Sequence, residues 1–313
     1  MYFVCDGGGT KTDFLLFDRN GIVLSRAQGS GTNANFVTPD EAAAIVQAGI
    51  KDCLARAGKV LTEVEMIVLF IPGFRAALNA VKQHLGRDDI ILLGDEKSAF
   101  YAALGVPYGI TVLSGTGSFA IGRDRSGRVA KAGGWGPLFS DGGSGYHIGI
   151  LCLSRLAWLC DTNTTGTILE KIALEHLGIP DIPTIRTAAY LPDFDRKRVA
   201  SLCYAVEKAA RQGDRDALAI LDEAADALAK LAAVVAKQLD VQEFPVALAG
   251  GVANMGPLFT ERVKKALWHT VPQCTFQTAR YSPVVGAALC TLCEFAGVDI
   301  SDPKIGENLA REG

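Results

Sequence analysis

Apolar residues in this chain recur first at the spacing of strands and later at the spacing of helices. Residues 2–5 and 13–17 are short β-branched, aromatic and aliphatic runs joined by a glycine-rich turn. Residues 21–27 follow a second turn, Asp18-Arg19-Asn20-Gly21, so the opening reads as a three-stranded meander. Behind Pro39 and Asp40, which suit a first helical turn, Ile45, Val46, Ile50 and Leu54 mark a helix over 40–58. The apolar runs 66–71 and 90–93 predict buried strands. At residue 109 the plan restarts: an apolar run over 109–113, the turn Ser114-Gly115-Thr116-Gly117-Ser118, a second run over 119–122, and Asp124-Arg125-Ser126-Gly127, which repeats the earlier Asp-x-x-Gly turn. Two copies of one plan predict duplicated domains, too few for a solenoid.

Beyond residue 145 the spacing is mainly helical, over 146–160, 167–177, 196–212 and the Ala-rich 214–239. A strand over 245–249 leads into Gly250-Gly251, a helix begins near Pro257, a β-like stretch covers 275–278, and a helix follows over 283–296. The polar tail from Ser301 has little to pack and is expected to fray. The pattern predicts a mixed α/β protein. Its domains are expected over 1–105 and 106–313, with the helix 283–296 packing back on the first.

At 313 residues two domains are expected, and 49% hydrophobic and 21% charged residues are globular values. A net charge of −3 provides no broad positive field for a phosphate polymer, which excludes nucleic acid as the main partner. The most apolar run, 66–74, contains Pro72 and Gly73 and falls well short of the roughly 20 residues that span a bilayer. The first residues carry no basic, apolar leader, so a soluble cytoplasmic protein is expected. The eight cysteines then read as reduced, mostly buried thiols, and the Cys290–Cys293 pair lies in an apolar helix without the other half of a zinc site.

Five strings carry candidate chemistry. In Asp6-Gly7-Gly8-Gly9-Thr10-Lys11-Thr12 the glycines let backbone fold around an anion, N–H groups and Thr hydroxyls can donate to phosphate, Lys11 adds charge, and Asp6 can hold a hydrated metal ion. The same string also reads as a hairpin turn with an exposed lysine. The turn at 114–118 is a second such cradle, and two cradles on duplicated domains can face each other across a nucleoside triphosphate. Gly115-x-Gly117-x-x-Ala120 leads into a hairpin instead of a helix, and no Gly-Lys-Ser/Thr follows the first glycines, so neither dinucleotide nor Walker chemistry is supported. Asp95 ends an apolar strand, where it suits a base that accepts a hydroxyl proton or a cap for a helix beginning at Glu96. Gly133-Gly134-Trp135-Gly136 and Ser140-Asp141-Gly142-Gly143-Ser144 can offer backbone, an aromatic face and a carboxylate to a polyol, or simply form a loop with Trp135 tucked inward. Gly250-Gly251-Val252-Ala253-Asn254 can lie flat against an adenosine or serve as a plain strand-to-helix turn.

In this order and spacing the five strings resemble the BadF/BadG/BcrA/BcrD ATPase family over residues 2–296, closest to its N-acetylglucosamine kinase branch in the actin, Hsp70 and sugar-kinase superfamily. The resemblance implies two ribonuclease-H-like domains with an ATP cleft between them, ATP and Mg²⁺ as cofactors, and a homodimer. It implies transfer of phosphate to a hexosamine, N-acetylglucosamine at its 6-hydroxyl first, with glucosamine, N-acetylmannosamine and N-acetylmuramic acid as alternatives. Asp6, Gly8, Gly9, Thr10 and Lys11 would then hold phosphate, with Asp6 near Mg²⁺. Gly115, Thr116 and Gly117 would form the second loop, and Gly213, Gly250, Gly251 and Asn254 would meet the nucleoside. Asn33, Ser118, Gly134, Trp135, Gly136 and Asp141 would meet the sugar, and Asp95 would be both a sugar contact and the base. Two positions depart from the family: Gly142 stands where relatives carry Glu, and Glu96-Lys97 where a small residue follows the Asp. A second reading within the family is an ATPase that drives a partner redox enzyme, although Cys152 and Cys160 do not match its iron–sulfur cysteines. A sugar-sensing repressor would add a DNA-binding module that the opening strand leaves no room for.

Overall fold

One strand plan occurs twice in the computed structural model, which describes residues 1–33 and 37–311. The chain divides into two compact units, Met1–Pro107 with Ala279–Gly313, and Tyr108–Thr278. In the first, β1 (Tyr2–Gly7) pairs antiparallel with β2 (Lys11–Phe17), which pairs with β3 (Val23–Ser30). On its other side β1 runs parallel to β4 (Met66–Phe70), and β5 (Ile91–Leu93) completes the sheet. Alternation along β1 and β2 turns Phe3, Cys5, Phe14 and Leu16 to one face, where α1 (Pro39–Ala57) and α2 (Arg75–Leu85) bury them with Val46, Ile50 and Val81. Gly49 lets α1 rest on the Phe14 ring, since a Cβ there would lie 2.4 Å from it. Thr38 and Glu41 close a capping box at the start of α1. After β5 comes α3 (Asp95–Leu104), whose N-cap is Gly94. The expected Asp95 cap is therefore corrected: Asp95 is the first residue of the helix and its side chain is exposed.

The second unit repeats the plan, with β7 (Ser118–Arg123) and β8 (Val129–Gly133) antiparallel on one side of β6 (Gly109–Ser114), and β9 (Phe244–Ala249) and β10 (Cys274–Thr278) parallel on the other. The Asp-x-x-Gly turns repeat in detail. Asp18 Oδ1 accepts the N–H groups of Asn20 and Ile22, and Asp124 Oδ1 those of Ser126 and Arg128, with Gly21 and Gly127 at φ 77° and 90°. Between β8 and β9 lie α4 (Gly145–Asp161), α5 (Ile168–Leu177), α6 (Ile182–Ala188), α7 (Arg196–Arg211) and α8 (Arg215–Leu239). The small residues Ala224, Ala225, Ala229 and Ala232 line the buried side of α8, which runs along β6, β7 and β8. A 3-10 turn, Gly251–Asn254, follows β9, and α9 (Pro257–Thr270) packs on α8.

The chain then returns to the first unit. Here α10 (Pro283–Glu294) packs on α3 and β1, with Gly286 so close that a Cβ would lie 2.1 Å from the Ser98 carbonyl oxygen. Lys97 pairs with Glu294, which also accepts the Tyr101 hydroxyl at 3.1 Å, so the Lys97 departure is spent on holding α3 to α10. The tail does not fray as expected: α11 (Pro303–Ala310) buries Leu309, and Arg26 donates to the carbonyls of Leu309 and Arg311. Its polar residues face outward while one leucine and a few carbonyls do the docking. Among the described residues no helix is long and apolar enough to cross a membrane, and all eight cysteines are free thiols.

Gly286→Ala should force α3 and α10 apart and lower stability by about 1–3 kcal/mol, the usual cost of overpacking, read as the shift of a urea midpoint. An unchanged midpoint would show that the two helices are not in backbone contact.

Candidate active site

In the first unit the site grows from the C-terminal end of β1. Gly8 donates to the Lys11 carbonyl at 3.0 Å and its own carbonyl accepts from the N–H groups of Thr32 and Asn33 at 3.0 and 3.2 Å. The segment leaving β3 thus closes over the first loop. A Cβ at Gly31 would lie 2.4 Å from the Gly9 carbonyl oxygen, so only glycine permits this approach. Beneath it Thr12 Oγ1 donates to the Ser30 carbonyl and meets Thr32 Oγ1 at 3.0 Å, both hydroxyls fully buried. This brings Asn33 to Gly8, while Thr10 and Lys11 stay exposed. Lys11 Nζ pairs with Asp13 at 2.9 Å.

Asp6 is the next-to-last residue of the buried β1, and Ser98 on α3 donates to its Oδ1 at 2.6 Å, with the Asp95 carbonyl oxygen also 3.0 Å from that hydroxyl. Burial pushes the Asp6 carboxyl up to about 6; the Ser98 hydrogen bond opposes this, and the charges of Asp95 and Asp13 add to it. Ser98 thus ties the desolvated Asp6 carboxyl to the main chain of Asp95, whose residue is exposed on the first turn of α3. Among the described residues no cluster of three His, Cys, Asp or Glu side chains could hold a metal ion.

In the second unit Gly115 closes its loop by donating to the Gly117 carbonyl at 2.9 Å, and its own carbonyl accepts from Gly145 at 2.8 Å. Ser118 and Asp141 are both buried: Ser118 N–H donates to Asp141 Oδ1 at 3.3 Å and Ser118 Oγ to the Gly142 carbonyl at 2.7 Å. They hold the 140–145 loop against β7. Asp141 takes a left-handed backbone, φ 65°, which Asp tolerates better than most residues. At the departing position a side chain on Gly142 would meet Ala227 Cβ at 3.1 Å. Ser144 caps α4, and His147 Nδ1 accepts the Gly143 N–H at 3.2 Å, a role that its burial-lowered pKa suits. By contrast Trp135 is 76% exposed, between Gly134 and Gly136 at φ 75° and 99°, so it is not tucked inward.

A cavity of about 340 Å³ in this unit is lined by Gly115, Thr116, Lys197, Ser201, Tyr204 and Gly251, among others. It joins the second loop to the Gly250 turn. Gly250 itself serves packing: a Cβ there would lie 2.4 Å from the Ser114 carbonyl oxygen. Asn254 is exposed at the end of the 3-10 turn, and Gly213 forms the left-handed turn from α7 to α8; neither lines the cavity. Lys197, Ser201 and Tyr204 were not singled out from the sequence, yet their i, i+4, i+7 spacing on a predicted helix was the available signal.

The sequence profile of the BadF/BadG/BcrA/BcrD ATPase family matches residues 5–291, and the chain belongs to that family. It is 30% identical over 297 residues to an N-acetylmuramic acid/N-acetylglucosamine kinase of Clostridium acetobutylicum, covering 92% of this chain and 97% of the relative. It is 28% identical over 313 residues to an N-acetyl-D-glucosamine kinase of Dictyostelium discoideum, covering 93% and 98%. The fold matches an N-acetylglucosamine kinase candidate from Chromobacterium violaceum with TM-score 0.69 at 23% identity, over 93% of this chain and 99% of that one. This likeness establishes the two-domain, actin-like ATPase fold.

The raised Asp6 pKa sets a sign for stability. Between the usual value of 3.8 and about 6 the folded protein keeps a proton that the unfolded chain has lost, so this contribution is present at low pH and is lost as pH rises through 6. Asp6→Asn should therefore stabilise the ligand-free protein by about 3 kcal/mol at pH 8, with the gain largely gone by pH 4, followed by thermal melts at both pH values. An equal gain at both would mean that Asp6 is not desolvated.

Proposed function

We propose that this member of the BadF/BadG/BcrA/BcrD ATPase family is an ATP-dependent hexosamine kinase that phosphorylates N-acetylglucosamine at its 6-hydroxyl. The observation that carries the reading is the exposed Asp95 close enough to the desolvated Asp6 for its charge to raise that carboxyl's pKa, in a chain whose two curated relatives are amino-sugar kinases over more than nine-tenths of its length. One of those relatives is named for N-acetylmuramic acid as well, which makes that sugar the first alternative acceptor.

Phosphoryl transfer asks for little covalent chemistry from the protein and for much positioning and charge neutralisation. Asp95 would orient the sugar hydroxyl and take its proton while the new O–P bond forms and the bond to the leaving ADP breaks. Lys11 would exchange its pairing with Asp13 for a phosphate oxygen, and the backbone at Gly8, Gly9 and Thr10 would cradle that group beside it. Gly115, Thr116 and Gly117 would take the second phosphate contact, with Gly251 and Tyr204 toward the nucleoside. Asn33, Trp135 and Gly136 would meet the sugar, and Ser118 and Asp141 steady the 140–145 loop of the second unit. The donors at Asp6 suit Mg²⁺, a hard ion that usually takes one or two carboxylates with phosphate and water. When bound it would neutralise charge on the transferring phosphate. The eight free thiols fit a reducing cytoplasm, and the assembly proposed is a homodimer.

ADP release should depend on one amino sugar among N-acetylglucosamine, N-acetylmuramic acid, N-acetylmannosamine and glucosamine, and Asp95→Ala should lower kcat at least about a hundredfold. ADP release indifferent to every sugar would favour the partner-driving ATPase instead.

A further inference from the structure

The ion pair beneath the second glycine loop involves a cation that the reading above leaves without a role. Arg196 Nη2 lies 2.7 Å from Oδ2 of Asp141, which is only 4% exposed, and 3.4 Å from the Thr116 carbonyl oxygen. A Cβ on Gly117 would come within 2.9 Å of Asp141 Oδ2 and 3.0 Å of Arg196 Nη2, so the pair sits directly against the tip of the loop. Both bonds leave from one nitrogen. Nε and Nη1 have no partner among the described residues, on a side chain that is 43% exposed. The guanidinium carbon stands 5.7 Å from the centroid of the Tyr146 ring. Arg196 is moreover the first residue of α7, where the helix dipole disfavours a cation, and Asp141 offsets that cost.

A guanidinium held at one nitrogen, with Nε and Nη1 open beside a glycine loop, is placed to give an oxyanion a charge-assisted hydrogen bond. We infer that Arg196 is a phosphate-binding residue of the second loop, donating from Nη1 to the bound nucleotide while Asp141 holds Nη2. Asp141 is then a positioning residue, acting through Arg196 and the Ser118 N–H. The inference rests on the kinase reading, because it takes the loop's ligand to be a nucleoside phosphate. It adds a side-chain cation to a loop otherwise built from backbone, and a side chain at Gly117 would press on the pair that holds it.

The test compares binding of ADP with binding of adenosine by calorimetry for the full-length wild type, Arg196→Gln, Arg196→Lys and Asp141→Asn, with thermal melts to confirm folding. Arg196→Gln should weaken ADP at least about tenfold and leave adenosine unchanged, and Arg196→Lys should recover part of the loss. Asp141→Asn keeps the guanidinium but weakens the hold on its Nη2, so ADP should bind less tightly, by a smaller factor than in Arg196→Gln, with adenosine unchanged. Equal losses of ADP and adenosine in Arg196→Gln and Asp141→Asn would overturn the inference in favour of a purely structural ion pair, as would unchanged ADP binding in Arg196→Gln. Both of those results leave sugar-dependent turnover by the wild type intact, whereas a wild type that binds no ADP and turns over no sugar overturns the kinase reading itself.

Discussion

One hydrogen bond, from the Ser98 hydroxyl to Asp6, connects the first sheet to the helix that bears Asp95. Asp6 is next to last in a strand buried on both faces, where an unpaired carboxylate would be costly, and Ser98 is the group that makes its position tolerable. Ser98 in turn is fixed from behind, because its carbonyl meets the backbone of α10 at Gly286 and the neighbouring Lys97 and Tyr101 both bind Glu294. The placement of Asp95 therefore depends on a helix nearly two hundred residues later in the chain.

The two copies of the plan have diverged at one register. In the first, Asp6 lies directly across from Asp13 on the antiparallel partner strand; in the second, the corresponding pair is Leu113 and Phe119. Like charges opposite each other destabilise a ladder, and here the strain is relieved by Lys11, Gln28 and Ser98. Sequence that bears such a cost in one copy and an ordinary apolar pair in the other marks where acid chemistry is wanted. The second copy keeps its charge one layer deeper, in the buried Asp141 with Arg196.

Strands, glycine loops and the duplication were legible in the sequence because each is a local signal: period-two alternation, glycines that backbone geometry demands, and an Asp-x-x-Gly turn whose bonds span four residues. What was hidden depends on distant partners. The start of α3 hinged on Gly94, and the docking of α11 on Arg26 far upstream. Asp141 sits in a glycine-rich stretch that suggests solvent, and only Arg196, 55 residues on, shows that it is buried and paired. The cavity beside the second loop is half made by α7, whose Lys197, Ser201 and Tyr204 share a helical stripe, but the glycine turn that this stripe meets lies far away in the chain.

The first unit is assembled from both ends of the chain, and this has a consequence in time. During synthesis the β1–β2 hairpin emerges early, with Tyr2, Val4, Leu15 and Phe17 on the face opposite α1, but α10, which packs on β1 and β2, emerges only after the whole of the second unit. The inserted unit is continuous, so it can complete its core while the first still shows an apolar sheet face to water. The half that bears Asp6 and Asp95 is the one that must wait, and until its last helices leave the ribosome that sheet face stays uncovered.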